Sequence, residues 1–567
     1  MNLNKNITCI IIFLFAALTI ISCNNRSSKR NKSKIVSTPE KMDQQTGENL
    51  QETLEFAVQH QGQIDDSISL QLAVVVNNFY KNTVFNNVWS SKEKWQPIAD
   101  SVFNLIQNAQ LSGLFPNDYH FKNLKSLKTK LDSDSLKRMD ANLWTKADLM
   151  LTDGFLHIVK DLKDGRLGND SIAHKKATAD TFFIAALSKL ISTNQLTPLL
   201  NQIEPKQIGY ISLKNCLPNF LDSMDNRIYT YVNYPFKKND IEDSLTFIKN
   251  IQKRLYESKA ILFVNKLPDS LELNKALKFY QKLKKLKQDG IISTSLIKTM
   301  NLNDVERFKR IAITLDRYKQ LPDSLPEKYI WVNLPSYYLQ VWDHDTLVLD
   351  SKIICGKPAT PTPLLTSYIT DMVTYPTWTV PNSIIAKLYL PKLKNNPNYL
   401  SQIGLKLVDT KGDLINPNEI VWSKYSKGIP YKVVQNSGDD NALGILKFNF
   451  SNPFAVYLHD TNQRYLFKNA GRALSHGCVR VQKWDSLAFY LAKNDSLNLK
   501  TGDSLRYTSD SIKTWLANKE HKRIVVKNKV SLFILYFSCE AKNGRIKFFD
   551  DIYGDDKVMR DKYFAGK

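Results

Sequence analysis

The sequence predicts an α+β multidomain chain in which a helical amino-terminal part precedes a mainly β carboxy-terminal domain. Three observations predict it. The chain has 567 residues, more than one hydrophobic core usually serves, which suggests about three or four modules. In LWTKADLMLTDGFLHIVKDLKDG the apolar residues Leu143, Ala147, Met150, Leu151, Phe155, Ile158 and Leu162 recur at steps of three and four, the period of a helix with a buried face. From about residue 326 the period falls to two. Ile330, Val332 and Leu334, then Tyr337, Leu339 and Val341, alternate with polar or aromatic neighbours, as half-buried strands do.

Composition narrows the class. Hydrophobic residues at 43% and aromatics at 11% supply enough surface to bury, so wholesale disorder is excluded. Lys plus Arg number 78 against 55 Asp plus Glu, a net charge of +23, which attracts nucleic acid, anionic lipid or acidic wall polymer. The amino terminus chooses among them. Lys5 precedes an apolar run from Ile7 to Ile21 broken by Thr8 and Thr19, too short for a spanning helix but suited to an export signal. The run ends in Ile20-Ile21-Ser22-Cys23, which resembles the bacterial lipobox, so residues 1–23 are expected to be a lipoprotein signal and Cys23 to carry lipid. Residues 24–50 are polar and basic, and are expected to form a flexible tether. An exported, membrane-anchored chain makes nucleic acid an unsuitable partner. The expected place is the cell envelope facing the periplasm, with the outer membrane preferred because Asn24, not aspartate, follows Cys23.

Of the remaining cysteines, Cys216, Cys355 and Cys539 read as small buried hydrophobes, because their spacing matches neither a metal site nor a disulfide framework. Residues 51–238 read as a helical scaffold domain. In residues 239–305, Ile241, Leu245, Ile248, Ile251 and Leu255 mark one helix. Ala276, Phe279, Tyr280, Leu283 and Leu286 mark another, ended by Asp289-Gly290. This stretch resembles the small peptidoglycan-binding helical module of cell-wall enzymes through Phe279, Gln281, Asp289, Gly290, Ile291 and Thr299. Lys275, Lys278, Lys282 and Lys285 form a stripe that suits the carboxylates of wall peptides and equally suits a solvated face. Residues 326–525 form the β domain, with a helical insertion over about 384–440 of the kind that often serves as a lid. Residues 526–567 read as a strand and a polar tail.

The chemistry concentrates in YLHDTNQRYLFKNAGRALSHGCVRV. Cys478 is a nucleophile once a base or a positive charge favours its thiolate. His459 and His476 are both candidate bases. If FAVYLHD is extended, Tyr457 and His459 share a face. Gly477 permits a tight turn, and the N–H groups of Gly477 and Cys478 could stabilise an oxyanion. Arg480 is a fixed cation that could support the thiolate or hold a substrate carboxylate. A zinc site of His459, Asp460, His476 and Cys478 is disfavoured by the lack of paired-ligand spacing.

SHGCVR at Ser475 to Arg480, the His459-Asp460-Thr461 triplet upstream and NALG at Asn441 to Gly444 resemble the L,D-transpeptidase (YkuD-like) catalytic domain, of the large multidomain YcbB-like type. The resemblance implies a mainly β catalytic domain with a helical capping insertion, preceded by the scaffold and wall-binding modules. It implies Cys478 as nucleophile and His459 as general base. Tyr457, Gly477, His476, Ser475 and Arg480 are implied as oxyanion and substrate contacts. Because relatives of this type can carry Ser where this chain has His476, His459 ranks first. The implied reaction joins third-position diaminopimelate residues of two peptidoglycan stem peptides through a cysteine thioester, with release of D-alanine and without metal or organic cofactor. Carbapenem β-lactams are implied inhibitors. An L,D-carboxypeptidase would use the same residues, and a non-catalytic wall-binding lipoprotein is the reading from another class.

Overall fold

The computed structural model describes residues 33–167, 177–234, 241–262, 266–284, 286–499, 507–564 and 566. The signal segment, Cys23 and Lys285 lie outside the described residues. The expected tether does not run to residue 50. Helix α1 (Met42–Gln59) starts inside it and buries Met42, Leu50, Leu54 and Ala57. These apolar residues are spaced for one helical face, and that face packs on α2 (Ala141–Lys163). Helix α2 is buried almost all round, so it forms the centre of the scaffold. Its Asp148 accepts hydrogen bonds from the Tyr80 hydroxyl at 2.5 Å and from the Val88 and Trp89 amides. Burial outweighs these bonds and raises the Asp148 pKa to about 6.

The second helical unit holds α3 (Ile241–Glu257) and α4 (Ser270–Leu283). Helix α4 stops at Leu283, short of the expected Asp289-Gly290. That turn has its own fastening: the Gln281 amide donates to Asp289 at 2.8 Å and accepts from the Gly290 N–H at 2.9 Å. Phe279 and Leu283 are exposed rather than core residues. Lys275, Lys278 and Lys282 also face solvent. Helix α5 (Asp304–Lys319) then joins the helical part to the β domain, and its buried Arg317 donates to Asp556 at 2.7 Å.

The β domain contains β1 (Lys328–Asn333), β2 (Tyr338–Asp343), β3 (Thr346–Gly356), β4 (Leu365–Thr374), the cap strands β5 (Trp378–Thr379), β6 (Lys406–Val408) and β7 (Lys432–Gln435), then β8 (Leu446–Phe450), β9 (Leu458–His459), β10 (Ala473–Ser475) and β11 (Val479–Val481). After α6 (Trp484–Leu497) come β12 (Lys522–Val525), β13 (Ser531–Leu535) and α7 (Asp555–Tyr563). The main sheet runs β8-β9-β11-β3-β2-β1-β13-β4-β12, and β4 also pairs with β8, so the sheet closes on itself. The expected strand is β13, and the residues after it form a hairpin and α7 rather than an irregular tail. Strand β13 is parallel to β1 and antiparallel to β4 in the middle of the sheet, because its apolar run must be covered on both faces.

The insertion begins earlier than expected and adds a small sheet, ordered β5-β7-β6, to its short helical turns. It has a core of its own around Val380, Ile385, Leu393, Leu407, Trp422 and Val433. That core makes it a separately packed cap.

Candidate active site

The period of two that builds β8, β9 and β11 also builds the site. Leu446, Phe448, Phe450, Leu458, Val479 and Val481 are buried on one face. The residues between them face the other way, and the strand register lines them up. Lys447 lies opposite His459, and His459 lies opposite Arg480. In the neighbouring row Tyr457 flanks Cys478, and the Tyr457 carbonyl accepts the Val479 N–H at 3.1 Å. Tyr457 therefore touches the sulfur, while His459 stands diagonally to it, one row along.

Tyr457 is the hub of this arrangement. Its hydroxyl and its backbone both act on the Cys478 sulfur and favour its thiolate. Its ring meets His459 edge-on with centroids 5.6 Å apart. The Lys447 ammonium sits 4.0 Å from its ring centroid, a cation–π contact. Trp378, at the start of the cap, acts on its hydroxyl and partly offsets the effect of burial. Burial drives the phenol far above its ordinary range, so it stays protonated.

The charge states follow from burial. His459 is 4% exposed, and its buried Nδ1 has no hydrogen-bond partner among the described residues. Its pKa falls to about 3, first by desolvation and then by Arg480, with Lys447 adding a smaller push. Backbone groups of Asp460 and Leu443 pull the other way, but neither closes a hydrogen bond on Nδ1. Burial also raises the pKa of the half-buried Cys478 thiol, against the Tyr457 hydrogen bonds, Lys447 and Arg480. The resting pair is thus a neutral thiol and a neutral imidazole. The imidazolium that would hold a thiolate is disfavoured here by two flanking cations.

The turn that presents the sulfur is fixed from within and from β3. Gly477 has φ +124, open to glycine and strained for other residues. The Ser475 hydroxyl donates to the Cys478 carbonyl at 2.6 Å and accepts the Gly477 N–H at 3.2 Å. The expectation of two free oxyanion donors is corrected accordingly, since Gly477 N–H is spent inside the turn. From the loop after β3, Lys357 N–H reaches the Ser475 carbonyl at 3.0 Å, and the Thr362 hydroxyl donates to the Gly477 carbonyl at 2.8 Å. His476 is exposed on the turn, with its pKa lowered by partial desolvation, Lys357 and Arg480. Arg480 donates to Gln463 at 3.0 Å, and its buried Nε has no hydrogen-bond partner among the described residues.

The NALG and His-Asp-Thr segments interlock beside His459. Gly444 has φ +64 and packs directly on Asp460, which is fully buried and accepts from Ile445 N–H at 3.1 Å and Arg464 Nε at 3.0 Å. Sequence reasoning missed Lys447, Trp378 and the Lys357–Thr362 loop. A signal for Lys447 existed: it is the one charge in the strand pattern of Leu446–Phe450, on the face opposite Leu446, Phe448 and Phe450.

The site thus brings a turn-borne thiol and a neutral imidazole together beside the cap. Residues 327–496 match the model of the YkuD L,D-transpeptidase catalytic domain, and residues 75–217 match the model of the scaffold domain. Over 251 residues the chain is 35% identical to a Haemophilus influenzae protein assigned as an L,D-transpeptidase, covering 44% of this chain and 49% of that protein. The chain thus spans about half the length of this curated relative. Among solved structures, the catalytic domain of an Enterococcus faecium L,D-transpeptidase acylated by ertapenem is 13% identical, with 37% of this chain and 99% of that chain covered and a TM-score of 0.18. An L,D-transpeptidase of Stackebrandtia nassauensis is 14% identical, with 43% and 84% covered and a TM-score of 0.15.

Proposed function

We propose that this protein is a peptidoglycan L,D-transpeptidase that works through a Cys478 thioester. The observation that supports it best is the Cys478 thiol, held by Tyr457 on a rigid turn one row from the unpartnered His459 nitrogen, inside the matched catalytic domain. In the first half-reaction the thiol gives its proton to His459 as the sulfur attacks the carbonyl between third-position diaminopimelate and terminal D-alanine. The Cys478 N–H faces the developing oxyanion. His459 then returns the proton to the departing D-alanine amine. In the second half-reaction the side-chain amine of another stem's diaminopimelate opens the thioester, which leaves a cross-link and a free thiol. Arg480 supports the negative charge beside the sulfur.

The same reading includes a lipid on Cys23 and a periplasm-facing place on the outer membrane. It also includes acylation of Cys478 by carbapenems, since a strained β-lactam carbonyl offers the same thiol an acyl group. The deciding experiment incubates the protein, and its Cys478→Ala variant, with tetrapeptide muropeptides and weighs the products. Cross-linked dimers short of one D-alanine are expected from the unaltered protein alone. Tripeptide without dimer would assign carboxypeptidase action instead, and intact tetrapeptide would sink the enzyme reading.

A further inference from the structure

Cysteine acyl transfer needs positive charge near the sulfur as it ionises. The imidazole is poorly placed to give it, because His459 is buried between Lys447 and Arg480 and a third cation there is repelled. We propose that Lys447 is a positioning residue whose ammonium, docked on the Tyr457 ring, stabilises the thiolate of Cys478. The inference rests on the reading of Cys478 as the nucleophile.

The geometry carries it in three ways. Lys447 projects from β8 on the same face as the catalytic pair, directly across from His459. Its ammonium lies 4.0 Å from the centroid of the Tyr457 ring, and Tyr457 flanks Cys478 in the neighbouring row. Among the described residues it has no ion pair or hydrogen bond that would spend its charge. The acid nearest in influence, Asp371 on β4, is engaged by Asn449 at 2.7 Å and Arg523 at 3.3 Å. The other charged or titratable groups around the sulfur are Tyr457 just before β9, His459 on β9, Arg480 on β11, His476 on the turn and Lys357 from the loop after β3. Tyr457 and His459 rest neutral, and Arg480 is partly committed to Gln463. Burial draws the Lys447 pKa down while the sulfur pushes it back up, the reciprocal effect expected of two coupled charges. A half-buried ammonium in this setting acts more strongly than one in water.

The test alkylates the full chain with iodoacetamide across a pH range and follows modification at the Cys478 peptide by mass spectrometry. Lys447→Met should move the midpoint up by about one pH unit, with alkylation about tenfold slower below it. Lys447→Arg should restore most of the midpoint. Lys447→Gln is read in its place if the Met variant fails to fold. An unmoved midpoint overturns the proposal, and so does an equal shift in Lys447→Arg, which would mark lost packing rather than lost charge. No wall substrate is used, so a failed muropeptide assay and a failed charge assignment are told apart.

Discussion

Replacing Gly444 with alanine tests whether the turn beside His459 is built around that glycine. An added Cβ would stand 2.3 Å from Asp460 Oδ2 and 2.4 Å from its Cγ, and the residue would keep φ +64. The left-handed backbone costs about 1–2 kcal/mol for a residue with a Cβ. Relief of the overlap requires Asp460 to leave the Ile445 amide or Arg464, and a hydrogen bond to a charged group is worth about 1.5–3 kcal/mol. The sum is about 2.5–5 kcal/mol, or roughly 10 °C of melting temperature for a domain of this size. Gly544→Ala is the control, with φ +70 and open space around the added carbon. It should lose only the backbone part. Calorimetry of both variants, paired with Cys478 alkylation rates, reads the difference. If Gly444→Ala melts together with Gly544→Ala, the packing of this turn on Asp460 is not what positions the strand.

Further expectations concern charge, cap and anchor. The His459 pKa falls from 6.5 to about 3 on folding, so between those pH values the unfolded chain binds a proton that the folded chain refuses. Stability then rises with pH through that window by up to about 1.4 kcal/mol per pH unit, and urea titrations of His459→Gln should show a slope flatter by about one proton. Trp378→Phe removes the indole N–H that acts on the Tyr457 hydroxyl from the cap and should slow acylation of Cys478 about fivefold, the effect of losing about 1 kcal/mol; unchanged acylation would detach the cap from the site. Asp556→Ala strips Arg310, Arg317 and Ser538 of their shared buried partner and should cost about 3–5 kcal/mol, which a calorimetric loss under 1 kcal/mol would contradict. Cys23→Ser should release the protein from membranes, and persistent palmitate labelling would refute the anchor.

What the sequence made legible was periodic. The three-and-four spacing of Leu143 to Leu162 marks α2, and the alternation from Ile330 marks β1, because each period records one buried face. Tyr457 just before β9, His459 on it, and Cys478 on a following turn, were readable for the same reason. Other features depend on partners distant in the chain. No local pattern shows that Lys447 will lie on the Tyr457 ring, since their meeting depends on the β8–β9 register. Nor does Gly477 reveal that its N–H will be taken by Ser475. The start of α1 is hard to read in the sequence because its buried face mixes the apolar Met42, Leu50, Leu54 and Ala57 with the polar Thr46, Asn49 and Thr53.

The position of β13 has a consequence for biogenesis. Strand β13 fills the gap between β1 and β4, so until it is made those two strands keep bare edges that invite wrong pairing. The sheet must therefore wait for a contact between distant parts of the polypeptide, which makes assembly slow and exposes the nascent chain to aggregation. A stop codon placed ahead of Ser531 would remove no catalytic side chain and yet leave the ring unable to shut.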